Sequence, residues 1–322
     1  MDLIIVGNGF DMNEGLNTSY KQLREYLKKN CEELYEDLIS FYQSIFEDNF
    51  LNEDIIDFSK STIINENTKK TIYPNDVFLW SHFEKNIANP SYSDIRDEYG
   101  FGKFQNPNYD ETVERLIKLY NDSLQSLQVE IKEWIKSINT ESLFKKKIIN
   151  PSRFINFNYS ETLENRYSVR KDNICYIHNS IKDEHIVFGC DKESINSFYN
   201  YTQFSHDEYD GHTNFVIKLK FILNKYVKPT KKILNEKLIP FCVDKIFDRV
   251  FVLGSSISDV DKIYFDYLID KFFAAKWFIS YHMSDINDFS DLNNKRDYFR
   301  NKNLKVTYGD IKSFLDFLSI DL

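Results

Sequence analysis

The chain has 322 residues, 42% of them hydrophobic and 16% aromatic, which is ample core material for one large domain or two. A formal net charge of −9 and a pI of about 5.3 set long-range electrostatics against a polyanion, so sequence-independent nucleic-acid binding is not expected. No apolar run reaches membrane-spanning length, the first residues read as a core strand and not as a signal peptide, and Cys31, Cys175, Cys190 and Cys242 form no Cys-x-x-Cys pair. These features argue against a disulfide framework, a zinc site and a membrane location, and the chain reads as cytoplasmic.

In chain order, Leu3-Ile4-Ile5-Val6 is an apolar strand that breaks on Gly7-Asn8-Gly9-Phe10-Asp11. Such a Gly-x-Gly turn lets backbone approach a ligand's phosphates at the start of the next helix. The dinucleotide fingerprint is incomplete, because Met12 stands where a third glycine is wanted and no acidic residue closes a second strand about 20 residues on. Thr18 and Ser19 are placed to cap a helix, and Tyr20, Leu23, Leu27, Cys31, Leu34, Leu38, Tyr42 and Ile45 then recur as one long amphipathic helix or two in tandem.

Residues 48–110 are irregular and polar, with Pro74, Pro90 and Pro107 and one helical piece around Val77 to Ile87. Val113, Leu116, Tyr120, Leu124, Leu127, Ile131, Trp134 and Ile138 mark a second long helix. Strand-like runs resume at Arg153 to Asn158, Asn173 to His178, His185 to Gly189, Arg249 to Gly254, Lys276 to His282 and Leu304 to Tyr308, with helices expected near 259–273 and 311–320. Residues 207–245 stay ambiguous, since Phe215 to Tyr226 mixes the strand and helix periods. The simplest architecture is α/β: a Rossmann-like, mostly parallel sheet built from residues 1–18 and 146–322, with a large helical insertion over 19–145 after the first strand.

Ligands of such folds sit at the carboxyl ends of parallel strands. Four of those ends carry polar residues: Gly7 to Asp11, Asn156-Phe157-Asn158-Tyr159-Ser160-Glu161, His178-Asn179, and Gly254-Ser255-Ser256-Ile257-Ser258-Asp259. Each has a structural alternative. The glycines suit any tight strand-to-helix turn, Asn158, Ser255, Ser256, Ser258 and Asp259 suit helix caps, and His178 suits a satisfied core histidine. His206, Asp207, Glu208, Asp210 and His212 crowd one loop at a spacing that fits no standard metal site, so no metal is expected. Leu79 to Glu84 reads as core, and Lys145-Lys146-Lys147 as a solvated helix end.

Gly7-Asn8-Gly9-Phe10-Asp11, continuing through Gly15-Leu16-Asn17-Thr18-Ser19-Tyr20, resembles the opening of the AbiH phage abortive-infection proteins. Asn158-Tyr159-Ser160 with Glu164, and the Gly254 to Asp261 segment, resemble that family's later blocks. The chain is also similar, more remotely, to the sirtuin-like NAD-binding fold. A sirtuin's Gly-Ala-Gly-x-Ser start, its Gly-Ile-Pro, its Thr-x-Asn-x-Asp segment, its His-Gly pair and its Gly-Thr-Ser turn have counterparts in the same order. They are Gly7 to Asp11, Gly15 to Asn17, Asn156 to Ser160, His178-Asn179 and Gly254 to Ser256. Asp11 replaces Ser, Asn17 replaces Pro, Ser160 replaces Asp and Asn179 replaces Gly, and the zinc-binding cysteines of the deacetylases are missing.

The resemblance implies a sirtuin-like sheet with a pocket for NAD as substrate or ligand, bounded by Gly7, Asn8, Gly9, Phe10, Gly15, Ser19, Gly254, Ser255, Ser256 and Asp259. It implies Asn158 to position water, His178 to accept its proton, and Asp11 to support the ribose or its developing charge. The function it implies is antiphage abortive infection by hydrolysis of NAD to ADP-ribose and nicotinamide. Two other readings stand beside it: a nucleotide sensor that binds without turnover and signals to a partner, and a metal-dependent nuclease or phosphotransferase using Asp11, Asp259 and Asp261. A phage-derived trigger and self-association are left open.

Overall fold

The computed structural model describes residues 1–42, 63–64, 71–72, 87–88, 109–138, 140, 144–196, 210–282 and 289–321. The chain divides into two compact units: one of Met1–Ser19, Lys132–Val187 and Pro229–Leu322, the other of Tyr20–Ile131 and Phe188–Lys228.

The first unit holds a six-stranded sheet: β1 (Asp2–Val6), β2 (Ser152–Asn156), β3 (Ile174–Tyr176), β4 (Arg249–Leu253), β5 (Lys276–Ser280) and β6 (Val306–Gly309). Every pairing is parallel and the order across the sheet is β3-β2-β1-β4-β5-β6. All five residues of β1 are buried, as a central parallel strand covered on both faces requires. At its start the Asp2 carboxylate accepts two hydrogen bonds from Arg249, at 2.8 and 2.7 Å, which pins β1 to β4.

Side chains alternate strictly between two cores. Leu3, Ile5, Ile155, Val250, Val252, Trp277 and Ile279 face one, where they meet the helices Lys262–Lys271 and Ser290–Asn301 and the helical run from Thr230 to Cys242. Ile4, Val6, Phe154, Phe251 and Leu253 face the other, against Phe10 of the helix Asn8–Asn13, Leu163 and Tyr167 of Thr162–Tyr167, and Leu315 and Leu318 of Ile311–Leu318. Helices on both faces and this strand order make a doubly wound sheet whose switch point lies between β1 and β4. Within the Thr230 to Cys242 run, Leu234–Leu238 is π-helical. Pro240 has no N–H to offer the Glu236 carbonyl, and the helix passes that break through the wider turn.

In the second unit, the periodic stretch after Ser19 is two helices, Tyr20–Asn30 and Glu32–Tyr42, broken at Cys31. The helix Tyr109–Ser137 buries Val113, Leu116, Tyr120, Leu124, Leu127 and Ile131 at the expected spacing. Tyr120 stands edge-on to Phe41 at 5.0 Å and donates to the Ile87 carbonyl at 3.2 Å. Phe215 to Tyr226 is resolved in favour of helix, as Asp210–Asn224.

Two expectations are corrected. His185 to Gly189 is not a strand, because its backbone takes irregular partners: Val187 N–H donates to the His178 carbonyl at 2.8 Å, and the Val187 carbonyl accepts from the Tyr159 hydroxyl at 3.0 Å. Lys146–Ile148 is not a helix end but a strand, paired antiparallel with Ser319–Asp321, which also ends the last helix at Leu318. The glycine turn opens the helix Asn8–Asn13, whereas Ser290–Asn301 was not anticipated; it buries only Leu292, Lys295 and Phe299, too thin a stripe to stand out in a polar sequence. Leu79 to Glu84, most of the expected Val77 to Ile87 helix and the His206 to Glu208 part of the acidic loop lie outside the described residues.

Candidate functional site

The carboxyl ends of β1 and β4 are interlocked by three glycines. Gly254 has φ 67, and a Cβ there would fall on the Phe10 nitrogen and the Gly9 carbonyl carbon. A Cβ on Gly7 would meet the Ser255 Cα at 2.7 Å, and one on Gly9 the Gly254 Cα at 2.9 Å. Only bare backbone permits this approach. The Gly7 N–H donates to the Leu253 carbonyl at 3.0 Å and the Gly9 N–H to that of Gly254 at 2.8 Å. These two amides are therefore taken up inside the protein, and what the turn offers a ligand is its surface, not those two donors. The Gly254 N–H donates to Ser280 Oγ at 2.8 Å, and the Ser280 carbonyl accepts from buried Lys295 Nζ at 2.9 Å, so β5 backs the switch-point turn.

Asp11 is 1% exposed. Its Oδ2 accepts from the Ser160 hydroxyl, which lies 3.0 Å from Thr162 Oγ1, while Oδ1 has no hydrogen-bond partner. Burial pushes the carboxyl up to about 6, against smaller opposing effects of Ser160, Thr162 and Asn158. Asn158 is also buried, its Nδ2 donating to the Gly7 carbonyl at 3.0 Å and its backbone N–H to Asn156 Oδ1 at 2.8 Å; its own Oδ1 is not engaged by these bonds. Asp11, Asn158, Ser160 and Gly7 thus form one cluster binding the end of β2 to the turn after β1.

His178 belongs to a second cluster. It is 4% exposed, edge-on to Phe157 at 5.6 Å, with Nε2 3.3 Å from Asp261 Oδ1. Asp261 Oδ2 accepts from the Ser258 hydroxyl at 2.8 Å. His178 Nδ1 has no hydrogen-bond partner. The next residue, Asn179, takes φ 64, a conformation Asn tolerates, and its Oδ1 accepts from Lys237 on the π-helical turn. Phe157 and Asn158 are adjacent in the chain, so one two-residue step of backbone links the clusters.

The remaining expected ligand residues are distributed as follows. Ser255 is buried, with Oγ accepting from the Ile257 N–H at 3.2 Å, whereas Ser256 is exposed on the same turn. Ile257 holds φ 53, a strained conformation for a β-branched residue, and so marks this loop as over-determined by its surroundings. Asn8 is exposed at the start of its helix. Phe10, expected at the ligand, lies in the core: it is 2% exposed and packs on Tyr167 at 5.7 Å. Gly15 has φ 85 with open space around it and turns the chain after Asn8–Asn13; Ser19 directly precedes the helix Tyr20–Asn30. Asp259 is exposed and paired with Lys262 at 2.5 Å.

A family model described as Bacteriophage abortive infection AbiH matches residues 3–281, from β1 through β5, and so covers both clusters and the glycine interlock. The chain belongs to this family. No curated protein and no solved structure matches it.

Sequence reasoning on this AbiH protein left out four residues that brace these clusters, Asp261, Ser280, Lys295 and Glu14. Asp261 was weighed only as a metal ligand; its place six residues after Ser255 in the block following β4 was the available signal. Ser280 and Lys295 carried none, because their importance lies in touching Gly254 and one another. Glu14 is buried between Arg166, which pairs with its Oε2, and the Tyr167 hydroxyl at 2.9 Å, and shores up the end of Asn8–Asn13. Asp11, Asp259 and Asp261 engage different partners, and among the described residues no three His, Cys, Asp or Glu side chains stand together as metal ligands. Among the same residues, no helix is long and apolar enough to cross a membrane.

Proposed function

We propose that this AbiH protein acts in abortive infection by hydrolysing the nicotinamide–ribose bond of NAD, on a sirtuin-like site at the carboxyl ends of β1, β2, β3 and β4. One observation carries the reading. The two departures from the sirtuin pattern at Asp11 and Ser160 exchange the same residue types, Asp for Ser and Ser for Asp, and these two side chains are hydrogen-bonded to each other. The contact ties the first block to the second through the two exchanged positions, which two independent chance matches would not supply. The bond of Asn158 to the Gly7 carbonyl beside the switch point, and the contact of His178 with the adjoining Phe157, support the same reading.

In this reaction the bond between the ribose C1′ and the pyridinium nitrogen breaks, its electron pair stays with nicotinamide, and positive charge builds on the sugar. Nicotinamide leaves neutral, so no general acid is needed. Water forms the new bond to C1′, held by the Asn158 amide, and gives its proton to His178. The exposed Ser256 hydroxyl and the surface of the glycine turn would border the ribose and diphosphate. Asn158, Ser255 and His178 are all at most 7% exposed, so the surrounding side chains must part before substrate reaches them. A covered site accords with a hydrolase that must stay silent until infection.

Occupancy sensing without turnover is the second reading, favoured by the engagement of the Gly7 and Gly9 amides and of Asn158 Nδ2. Incubating the purified protein with NAD, alone and with lysate of phage-infected cells, and following nicotinamide by chromatography separates the two. Release that disappears in His178→Ala and Asn158→Ala supports hydrolysis. Intact NAD in every arm overturns it.

A further inference from the structure

We propose that Asp261 is a positioning residue for His178, holding the imidazole as its Nε2–H tautomer so that Nδ1 is the nitrogen that takes the proton from water; this rests on the hydrolytic reading above.

The argument begins with what each ring nitrogen meets. Nε2 lies 3.3 Å from Asp261 Oδ1, an ion-pair distance without hydrogen-bond alignment, whereas Nδ1 is buried without a hydrogen-bond partner. A negative oxygen that close attracts an N–H and repels a lone pair, so the neutral ring is favoured with its hydrogen on Nε2 and its lone pair on Nδ1. A buried acceptor left without a partner is costly and rare, and a group awaiting a transferred proton is one reason for it. The carboxylate is itself held: Oδ2 accepts from the Ser258 hydroxyl at 2.8 Å, and the Asp261 N–H bonds to the Ser258 carbonyl at 2.9 Å. Ser258 and Asp261 lie in the strained loop that Ile257 opens, which begins at the Gly254 interlock, so the dyad is geared to the turn that would carry the ligand.

The proton balance follows. As the water oxygen bonds to C1′ and the C1′–N bond breaks toward nicotinamide, one water proton passes to Nδ1, while the Nε2 hydrogen stays on the ring beside Asp261. The imidazolium so formed faces a carboxylate that stabilises it, in the manner of a base oriented by an acid. Of the neighbouring polar groups, the Tyr159 phenol is centred 6.4 Å from the ring, and the Tyr264 hydroxyl is pushed up in pKa by burial and then by the Asp261 charge; neither is a carboxylate.

The test uses the full chain labelled with 15N-histidine, with the His178 signals identified by their loss in His178→Gln. Wild type is expected to show a protonated Nε2 and an unprotonated Nδ1 at pH 8. Asp261→Asn is expected to collapse that tautomer preference and lower kcat tenfold or more with KM little changed. Ser258→Ala, which keeps the carboxylate but frees it, moves the same signals the same way by less, and stands in should Asp261→Asn fold poorly. Hydrogen found on Nδ1, or His178 shifts unchanged in both variants while melting temperature falls, overturns the assignment in favour of a purely structural contact. The spectra decide this without NAD; absence of nicotinamide release with the expected tautomer would count against the hydrolytic reading alone.

Discussion

The Asp11 carboxylate and the Ser160 hydroxyl meet across 149 residues of sequence, joining the turn after β1 to the end of β2. Burial raises the Asp11 carboxyl to about 6 in the fold, against 3.8 when free. The folded state therefore holds this proton more tightly than the unfolded one, and stability falls as pH rises from about 4 to about 6. The ionisation costs on the order of 3 kcal/mol above that window. Asp11→Asn removes it. Thermal melts from pH 4.5 to 8 should show this component of the decline in wild type and lack it in the variant; parallel curves would mean that Asp11 titrates normally.

Gly254 and Gly15 both have positive φ, at 67 and 85, but differ in surroundings. Gly15→Ala meets open space and bears only the backbone cost, about 1 kcal/mol. Gly254→Ala also drives a methyl into the Gly9–Phe10 backbone and should cost about 3 kcal/mol or more. Urea unfolding of the two variants measures the difference, and equal losses would refute the interlock.

Ser280 Oγ is the acceptor for the Gly254 N–H. Ser280→Ala leaves that half-buried donor without its acceptor, at a cost of about 1 kcal/mol. Hydrogen exchange should quicken at the Gly254 amide more than elsewhere in β4; a uniform change would point to general loosening instead.

Glu14 is buried, paired with Arg166 and bonded to Tyr167, with Lys146 Nζ at 3.9 Å. Arg166→Ala strands most of the carboxylate's compensation and should cost about 3–5 kcal/mol. Glu14→Leu combined with Arg166→Leu should recover much of that. A double-mutant cycle by denaturant titration checks it, and additive losses would show that the two residues act separately.

Much of the fold was legible because period-two and period-3.6 patterns report burial directly. The five strands at Arg153, Asn173, Arg249, Lys276 and Leu304 and the long helix through Tyr120 follow from that alone. His185 to Gly189 misled because an apolar, β-branched run has strand propensity wherever it stands, and here neighbouring groups of His178 and Tyr159 captured its hydrogen bonds. Of the residues expected at the site, Asn158, His178 and Gly254 do stand just past strand ends, as their positions in the sequence suggested. The burial of Phe10 was not legible, since it is the turn carrying it that points it into the core.

By itself the sequence determined the α/β class, the strand ends bearing polar residues and the family, because these depend on local periodicity and on residue order. The tertiary structure alone decided the strand order β3-β2-β1-β4-β5-β6, the pairing of Asp11 with Ser160 and the approach of Asp261 to His178. Each of those contacts joins elements separated by scores of residues, and such neighbours are chosen by the packing of two faces of one sheet, not by any local preference of the chain.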